Sequence, residues 1–518
     1  MSTPPSAWRA VAQAMLSWRT ASVSLLSFSS GLPLGLVWIA IPTWLAREGV
    51  DIRLIGLFTL AQVPWSFKFL WSPLMDRFTL PLPRVGRKLG WTLLWQVGLF
   101  VATLALGGVS FSHQALWLIG TLTLAIAFAS ASQDIVIDAY AVEVLEPHEQ
   151  GIAVGARTAV YRAAMFISGG LAITLAGWWT WSVVFMALAA LYLPMMVVAW
   201  RAPRPAAERE LAPASLREAV WEPFVNFLAR RRAVELILFV LLYKLADNLA
   251  GALVRPFLVQ VGFNDFDVGV ATATIGLAAT LLGTFLGGLL TTAMGLGHAL
   301  WIFGLLQIVS NYGYVLIADA GPNRWLMYGA MGFESLTSGM GTGAFGVLLL
   351  RMTHVRFSTT QYALFTSIFA LPRILAGPAT GVMVDAVGWH DFFLFTLGVG
   401  IPGLLLLHRF APLGVREPEI HELALARPQP IRRGELLGRA TIGALVGLLI
   451  GAGTVALLEA VKLMRAGQTA GFDLPAGLAS LLRPETVGDW VTLAGVAVFA
   501  LLVALGVAAT AVARHGRG

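Results

Sequence analysis

The stretch SASQDIVIDAY, residues 130–140, places Asp134 and Asp138 four residues apart near the end of an apolar run that begins around Leu116. Residues four apart share one face of an α-helix. The chain around the stretch is strongly apolar, with 57% hydrophobic and 12% charged residues among its 518 and a mean hydropathy of +0.77. Soluble globular proteins carry about 25% charged residues. The two aspartates therefore belong to a predicted membrane protein, and their role depends on the surrounding helices.

Apolar blocks of about 20 residues recur along the chain, and this length crosses a hydrocarbon core of about 30 Å. Six blocks lie near residues 20–46, 55–75, 91–109, 115–142, 152–176 and 180–200. Six more lie near 234–259, 267–290, 298–317, 325–350, 358–384 and 390–409, and two near 440–463 and 487–512. We therefore predict an all-α membrane protein with 14 transmembrane helices in total.

Charged stretches divide these spans into five predicted segments. They are an N-terminal six-helix bundle at 1–200, a cytoplasmic linker at 201–232, a C-terminal six-helix bundle at 233–410, a second cytoplasmic linker at 411–439, and two additional transmembrane helices with the tail at 440–518. The absence of cysteine excludes disulfides and thiolate metal sites.

Arginine and lysine concentrate in alternate loops, and loops enriched in these residues face the cytoplasm. They occupy the loop after the second span, the first linker, the turn between the tenth and eleventh spans, and the tail: Arg77, Arg84, Arg87, Lys88, Arg201, Arg204, Arg209, Arg217, Arg230, Arg231, Arg232, Arg351, Arg356, Arg514 and Arg517. The opposite loop AGWWTW, residues 176–181, has none. Both termini are predicted to be cytoplasmic. The net charge of +7 is attributed to contact with anionic lipid rather than with nucleic acid.

The two six-helix blocks share an internal repeat. Gly49 and Gly56 after the first span correspond to Gly262 and Gly269 after the seventh. Five residues of the fifth span recur 211 positions later in the eleventh: Gln150, Arg162, Gly170, Gly177 and Trp178 match Gln361, Arg373, Gly381, Gly388 and Trp389. Two parallel six-helix halves joined by a cytoplasmic linker form the major facilitator fold, whose binding site lies near the membrane midplane between the halves.

Charged residues of the N-terminal half are predicted to form one layer in its cytoplasmic part. Lys68, Asp134 and Arg162 come from the second, fourth and fifth spans. A charged side chain at bilayer depth costs at least about 2.5–3.5 kcal/mol, so it faces a cavity or a partner. One interpretation is an ion-pair network that holds three helices in register. The other is a site whose acid changes protonation during transport, which accounts better for a second carboxylate, although Asp138 could instead lie at the cytoplasmic mouth.

The C-terminal half carries its own polar residues at membrane depth. They come from the seventh, tenth and eleventh spans: Lys244, Asp247, Asn248, Arg255, Glu334 and Arg373. Unpaired cations that face a cavity suit a substrate with carboxylates. Lys244 and Asp247, three residues apart, are alternatively a pair that neutralises itself.

These residues are assigned candidate roles by their chemistry. Asp134, Asp138 and Glu334 are candidate proton-coupling acids. Candidate substrate-binding residues are Trp65, Lys68, Tyr161, Arg162, Lys244, Asp247, Asn248, Arg255 and Arg373. The rings of Trp65 and Tyr161 could stack on sugars or serve only in packing.

The loop between the second and third spans has the acid–arginine–basic pair order of the major facilitator loop motif. Asp76 and Arg77 open the loop, and Arg87 and Lys88 close it. We predict that these four residues form a gate in which Asp76 pairs with neighbouring helix ends and closes the cytoplasmic side.

Several motifs are missing from the sequence. It contains no phosphate-binding loop, zinc-protease motif or nucleophile elbow, and its longest polar stretch is about thirty residues. We therefore expect no enzyme activity, no cofactor and no metal. Transport would draw on an ion gradient, and the buried carboxylates favour protons.

Six segments, in order, resemble the AmpG family of muropeptide permeases. They are SSGLPLGL (29–36), KFLWSPLMDR (68–77), ASQDIVIDAY (131–140), LLYKLADNLAG (241–251), ESLTSGMGTGAF (334–345) and the stretch from Gln361 to Trp389. By this resemblance, Gln133 joins Asp134 and Asp138 in the signature of the fourth span, while Lys68 and Asp76 belong to that of the second.

The resemblance implies a multi-pass importer of the bacterial inner membrane. Such proteins carry N-acetylglucosaminyl-1,6-anhydro-N-acetylmuramyl peptides from the periplasm to the cytoplasm with the proton gradient. The process serves peptidoglycan recycling and β-lactamase induction, and hence antibiotic resistance. Amides such as Gln62 and Gln133 would suit the sugars, and Lys and Arg the peptide carboxylates.

The expected partners are a small glycopeptide, protons and the lipid bilayer, with no nucleic acid and with a monomer favoured. Two alternatives stay open. One is proton-coupled transport of another anionic metabolite, such as a CoA ester. The other is a membrane sensor on the same fold that transports nothing.

Overall fold

The computed structural model describes residues 7–51, 54–55, 58–80, 85–205, 215–230, 232–418, 420, 432–465, 473–485 and 487–514. The predictions that involve Gly56, Arg84, Arg209, Arg231, Arg517 and residues 421–431 lie outside the described residues. The chain divides into two compact units. The first comprises Met1–Ala219, Leu238–Gly377 and Val387–Ile420, and the second comprises Val220–Ile237, Pro378–Ala386 and His421–Gly518.

Helical segments make up most of the described part of the N-terminal half. They are α1 (Ala7–Leu16), α2 (Trp18–Arg47), α3 (residues 59–77), α4 (Arg87–Gly107), α5 (His113–Val144), α6 (Gln150–Leu175) and α7 (Trp181–Arg201). Elements α2 to α7 occupy the positions of the six predicted spans. Helix α1 was not predicted, because its ten residues are too few to cross a membrane.

A second series of helices follows. They are α8 (Leu216–Leu228), α9 (Ala233–Val261), α10 (Asp265–Met294), α11 (Leu296–Ala320), α12 (Arg324–Met352), α13 (residues 358–387) and α14 (residues 389–410). Helices α13 and α14 are continuous except at Gly388, whose φ of 79° and ψ of 171° are not helical. Because glycine adopts positive φ readily, the eleventh span ends where the sequence predicts a break.

Eleven helices in the described residues are long and apolar enough to cross a membrane. Elements α3, α12 and α13 occupy the positions of the three remaining predicted spans. Element α3 is broken into short turns that restart at Pro64 and Pro73, because proline has no N–H to donate to a preceding turn. The total of 14 crossings remains a prediction.

The backbone repeats between the halves at two glycine turns. Gly49 after α2 and Gly262 after α9 have φ values of 75° and 105°. Gly86 before α4 and Gly295 before α11 have φ values of 92° and 91°. Positive φ favours glycine, so these matched turns agree with the internal repeat in the sequence.

The last helices belong to the second unit. They are α15 (Arg433–Arg465), α16 (Leu474–Leu482) and α17 (Val487–Arg514). A Cβ on Gly443 would meet Ala504 at 2.8 Å, and one on Gly447 would meet Ala500 at 2.7 Å. These glycines let α15 and α17 approach closely, as small residues do between membrane helices. Helix α16 was not predicted.

Candidate functional site

A cavity of about 340 Å³ lies between the two halves of the first unit. The N-terminal half contributes Ser30, Lys68, Asp134, Asp138, Val154, Arg157, Thr158 and Tyr161. The C-terminal half contributes Thr342, Phe345, Gly346, Leu349, Tyr362, Thr366 and Phe369. All four charged lining residues come from the N-terminal half, whereas the phenylalanines come from the C-terminal half.

Asp138 is the centre of charge pairing on the N-terminal wall. Its Oδ1 accepts a hydrogen bond from Arg157 within an ion pair, and its Oδ2 lies 3.7 Å from Lys68 Nζ. The side chains of Asp138, Lys68 and Arg157 are only 10%, 11% and 17% exposed. A carboxylate this buried needs such partners to offset the loss of hydration.

Asp134 lies one turn away and is paired less completely. Its Oδ1 is buried without a hydrogen-bond partner, and no described cation lies within 4 Å of its carboxyl group. Its neighbours include Ser30, Lys68 and Asp138. Buried polar atoms are usually hydrogen-bonded, so this carboxyl group has room to take up a proton or a ligand.

The break in α3 puts Lys68 in the cavity. Pro64 opens the turn Val63–Phe67 and Pro73 opens Ser72–Arg77, which leaves Lys68–Leu70 as a separate 3₁₀ turn. The Lys68 side chain lines the cavity from this turn.

Aromatic rings form much of the opposite wall. Phe345 of α12 and Phe369 of α13 stack with their centroids 4.7 Å apart and their planes 27° apart. Behind them, Tyr243 of α9 stacks on Phe345 at 5.6 Å and donates a hydrogen bond to the Leu300 carbonyl. The rings are therefore held by their neighbours and present an apolar surface to the cavity.

At one end of the cavity the halves are joined through Asp76. Its carboxylate accepts hydrogen bonds from the backbone N–H groups and hydroxyls of Thr359 and Thr360. Lys88, also fully buried, lies 2.7 Å from the same carboxylate. Since Thr359 and Thr360 begin α13, Asp76 caps the positive end of a helix from the other half. This is the type of contact that the loop motif predicts.

Further contacts join the same end. Glu143 accepts a hydrogen bond from Ser358 at 2.6 Å and lies 3.5 Å from both Arg87 and Lys88. Arg351 of α12 donates to Gln150 of α6 at 3.0 Å. We call the contacts of Asp76, Arg87, Lys88, Glu143 and Arg351 across this end the latch. Arg77 lies instead over the ring of its neighbour Phe78, at 5.9 Å.

Helices α6 and α10 also meet at the latch end. A Cβ on Gly288 would come within 3.0 Å of the backbone of Gly151 and Gly155, and one on Gly155 would meet Phe285 at 3.0 Å. The glycines therefore allow the two halves to touch backbone to backbone.

Four candidate binding residues of the N-terminal half, Arg162 among them, are not among the cavity-lining residues. Gln133 is fully buried and donates to Ser29 Oγ at 2.7 Å. Trp65 packs on the core of this half and meets Trp38 edge to face at 6.1 Å. Gln62 is half-buried in the turn Thr59–Gln62.

Lys244, Asp247 and Glu334 of the C-terminal half interact with one another and do not line the cavity. Lys244 Nζ lies 2.8 Å from Asp247 and donates to the Ser338 carbonyl and hydroxyl at 2.9 and 3.0 Å. This is the self-neutralised pair that the spacing allows. Glu334 is half-buried and accepts from Ser335 at 3.2 Å. The cavity lining includes neither Asn248 nor Arg255.

Arg162 and Arg373 are also outside the lining residues. The two interact electrostatically with each other, and neither has an acid within 4 Å in the described part of the chain. The pairing expected of Arg162 is made by Arg157, which was absent from the candidate set. Phe345, Phe369 and Tyr362 were missed as well, because apolar rings are common throughout such a sequence.

Relatives in sequence place the chain in a family. The profile of the Major Facilitator Superfamily matches residues 23–377. The anhydromuropeptide permease of Escherichia coli (strain K12) is 41% identical over 391 residues, covering 75% of this chain and 79% of that protein. An uncharacterized protein of Haemophilus influenzae is 34% identical, covering 74% and 93%. The putative transporter AmpG 4 of Rickettsia conorii is 28% identical, covering 75% and 96%.

Solved structures agree on the fold. The proton:xylose symporter XylE has a TM-score of 0.57 at 12% identity, covering 78% of this chain and 98% of that one. An outward-facing bacterial homologue of the iron transporter ferroportin has a TM-score of 0.54 at 13% identity, covering 76% and 99%. The chain is thus a multi-pass membrane transporter rather than an enzyme, and it belongs to the AmpG family of anhydromuropeptide permeases within the Major Facilitator Superfamily.

Proposed function

We propose that this protein imports anhydromuropeptides from the periplasm to the cytoplasm across the bacterial inner membrane, driven by protons, as a step of peptidoglycan recycling that can induce β-lactamase. The observation that carries the proposal is the cavity between the halves. It sets a charged wall with an incompletely paired acid, Asp134, against an aromatic wall. A related permease of E. coli carries the same substrate class in its name.

The two walls suit the two parts of such a substrate. The Phe345 and Phe369 rings offer apolar faces on which the C–H face of a sugar ring packs. Lys68 and Arg157 offer cations to carboxylates of the peptide. The cavity volume of about 340 Å³ is at the lower end of the usual size of a ligand pocket, about 300–1,000 Å³.

The coupling proton is assigned first to Asp134. Asp138 already neutralises Lys68 and Arg157 in part, so an ionised Asp134 competes with Asp138 for Lys68. A proton on Asp134 would end this competition and free the lysine to pair with Asp138 or with substrate. Glu334 is retained as a second coupling acid, with a smaller expected effect because it does not line the cavity.

The latch is proposed to be the gate on the cytoplasmic side. Opening this side must break the bonds of Asp76 to Thr359 and Thr360, which join different halves. Arg87 and Lys88 hold Glu143 and Asp76 in place on the N-terminal side. With the latch closed, substrate would reach the cavity from the periplasm.

The orientation follows from the basic residues near the latch. Arg87, Lys88, Arg351 and Arg356 lie at this end of the helices, and loops rich in Lys and Arg face the cytoplasm. Both termini are then cytoplasmic. The unit of transport is proposed to be a monomer, since the cavity is lined by one chain.

Uptake by the purified full-length protein in proteoliposomes tests the proposal. Labelled anhydromuropeptide should accumulate when the exterior is acidic, and a protonophore should abolish accumulation. A CoA ester and a disaccharide without the anhydro bond serve as competitors. Accumulation of the CoA ester alone would favour another anionic metabolite, and accumulation of neither would favour a sensor that transports nothing.

A further inference from the structure

Two arginines at matched positions of the repeat lie beyond the cavity, away from the latch. Arg162 is in α6 and Arg373 is in α13, 211 residues later. Both helices begin at the latch, where Gln150 at the start of α6 contacts Arg351 and Thr359 at the start of α13 contacts Asp76. Each arginine is therefore farther along its helix than the residues that line the cavity.

The positions of the arginines continue the cavity-lining faces. In α13, Tyr362, Thr366 and Phe369 line the cavity, and Arg373 follows Phe369 by four residues. In α6, Thr158 lines the cavity, and Arg162 follows it by four. Residues three or four apart share a helix face, so each arginine is the next residue above the cavity on its own half.

Neither arginine is neutralised. The buried cations Lys68, Arg157 and Lys244 all have an acid within 4 Å. No described acid lies that close to Arg162 or Arg373, and the two act on each other electrostatically. Arg373 is exposed and Arg162 half-buried. Because an unpaired arginine at membrane depth must face water or a ligand, we expect the pair to border an aqueous opening.

We propose that Arg162 and Arg373 together bind one carboxylate of the peptide part of the substrate, and that their mutual repulsion holds this end of the two halves apart when no ligand is bound. The identity of the carboxylate rests on the proposed function. A planar guanidinium binds a carboxylate through paired N–H groups, and one guanidinium comes from each half. A bound carboxylate replaces repulsion by attraction to both halves, so binding favours closure at this end.

The repulsion is tested without any substrate. The native chain has no cysteine, so nitroxide labels can be placed at this end of the molecule. Gln114→Cys is exposed in the first turn of α5, and Pro322→Cys is exposed in the turn between α11 and α12. The distance between the two labels reports the width of this end. The R162Q/R373Q variant should shift the distances shorter. The R162K/R373K variant, which keeps both charges, should match the unsubstituted pair. Unchanged distances in R162Q/R373Q would overturn the proposal that repulsion between the two arginines holds this end apart.

Carboxylate binding is tested with an anhydromuropeptide and its analogue with amidated peptide carboxylates. The unsubstituted protein should prefer the acid form by about tenfold or more, since charged hydrogen bonds are involved. R162Q and R373Q should each lose most of this preference, R162K/R373K should lose it in part, and the amide form should bind equally to all. R47Q, at an exposed arginine over Trp181, is the matched control.

The outcomes separate the two proposals. If R162Q and R373Q weaken binding of the acid and amide forms equally, the proposed carboxylate binding by the two arginines is wrong, while the proposed substrate stands. If the unsubstituted protein binds neither form, the proposed substrate is wrong. In that case glutarate still tests carboxylate binding by the two arginines. Binding that is lost in R162Q/R373Q and kept in R47Q would support it, and binding that is unchanged in R162Q/R373Q would overturn it.

Discussion

The N-terminal and C-terminal halves share one fold but use their buried charges differently. In the N-terminal half Lys68, Asp134, Asp138 and Arg157 line the cavity. In the C-terminal half the three donors of Lys244 are all taken by Asp247 and Ser338, which uses its full hydrogen-bonding capacity. Within the cavity, the N-terminal half thus keeps charges available to substrate and proton, while the C-terminal half presents rings. Duplication of a fold does not require duplication of its chemistry.

Among the substitutions that test this difference between the halves, removal of the Asp138 carboxylate should have the largest effect on stability and uptake. Asp138→Asn leaves Lys68 and Arg157 buried without their carboxylate, and breaking a buried pair in this way costs about 3–5 kcal/mol. The melting temperature should fall strongly and uptake should be lost. Asp319→Asn, at a residue about half exposed, is the control. A variant with normal melting and uptake would show that the charged wall is not organised around Asp138.

The latch, where the two halves meet, comes next. Asp76→Asn keeps the size of the side chain but removes the charge that Lys88 and the start of α13 need. We expect uptake to fall about tenfold, in line with loss of a charged hydrogen bond. Cysteine labelling at Thr360→Cys should become faster, because the end opens more often. Slow labelling together with reduced uptake would place the defect elsewhere.

The aromatic wall should influence affinity but not coupling. Phe345→Ala removes the ring that stacks on Phe369 and Tyr243. The Kd for anhydromuropeptide should rise about three- to tenfold, as expected for loss of an aromatic contact. Phe333→Ala, at an exposed ring of the same helix, should leave the Kd unchanged. A change in the proton-to-substrate ratio in Phe345→Ala would show that the aromatic wall also takes part in proton coupling.

The smallest effect is expected for Glu334. This acid lies outside the cavity, so Glu334→Gln should reduce proton-driven uptake by less than about threefold, which corresponds to under 1 kcal/mol. The measurement is uptake by Glu334→Gln and by Asp134→Asn at several external pH values. A larger loss in Glu334→Gln than in Asp134→Asn would move the coupling site to the C-terminal half.

Sequence reasoning located much of the N-terminal wall. Lys68 and Asp134 stood out because ionisable groups at membrane depth must face a cavity or a partner. The sequence-based prediction paired Arg162 rather than Arg157 with the aspartates. Counting helical turns gives the depth of a residue in the membrane but not the side of the helix on which it lies. The two residues are five apart, about 140° around a helix, so only the rotation of α6 shows that Arg157 points to Asp138.

Other features depend on tertiary packing. The short helices α1 and α16 are below membrane-spanning length. The breaks in α3 depend on prolines that also occur inside continuous helices, such as Pro33 in α2. The stacked rings of Phe345 and Phe369 come from different helices. Their spacing in sequence is compatible equally with a core, a lipid-facing surface or a cavity wall.

Substrate exchange by Asp134→Asn, compared with its net uptake, tests the account most directly. We expect the variant to fold normally, to bind anhydromuropeptide with a Kd within about twofold of the unsubstituted protein, and to exchange labelled for unlabelled substrate across proteoliposomes. It should not accumulate substrate when the exterior is acidic. Proton-driven accumulation at the unsubstituted level would contradict the assignment of the coupling proton to Asp134.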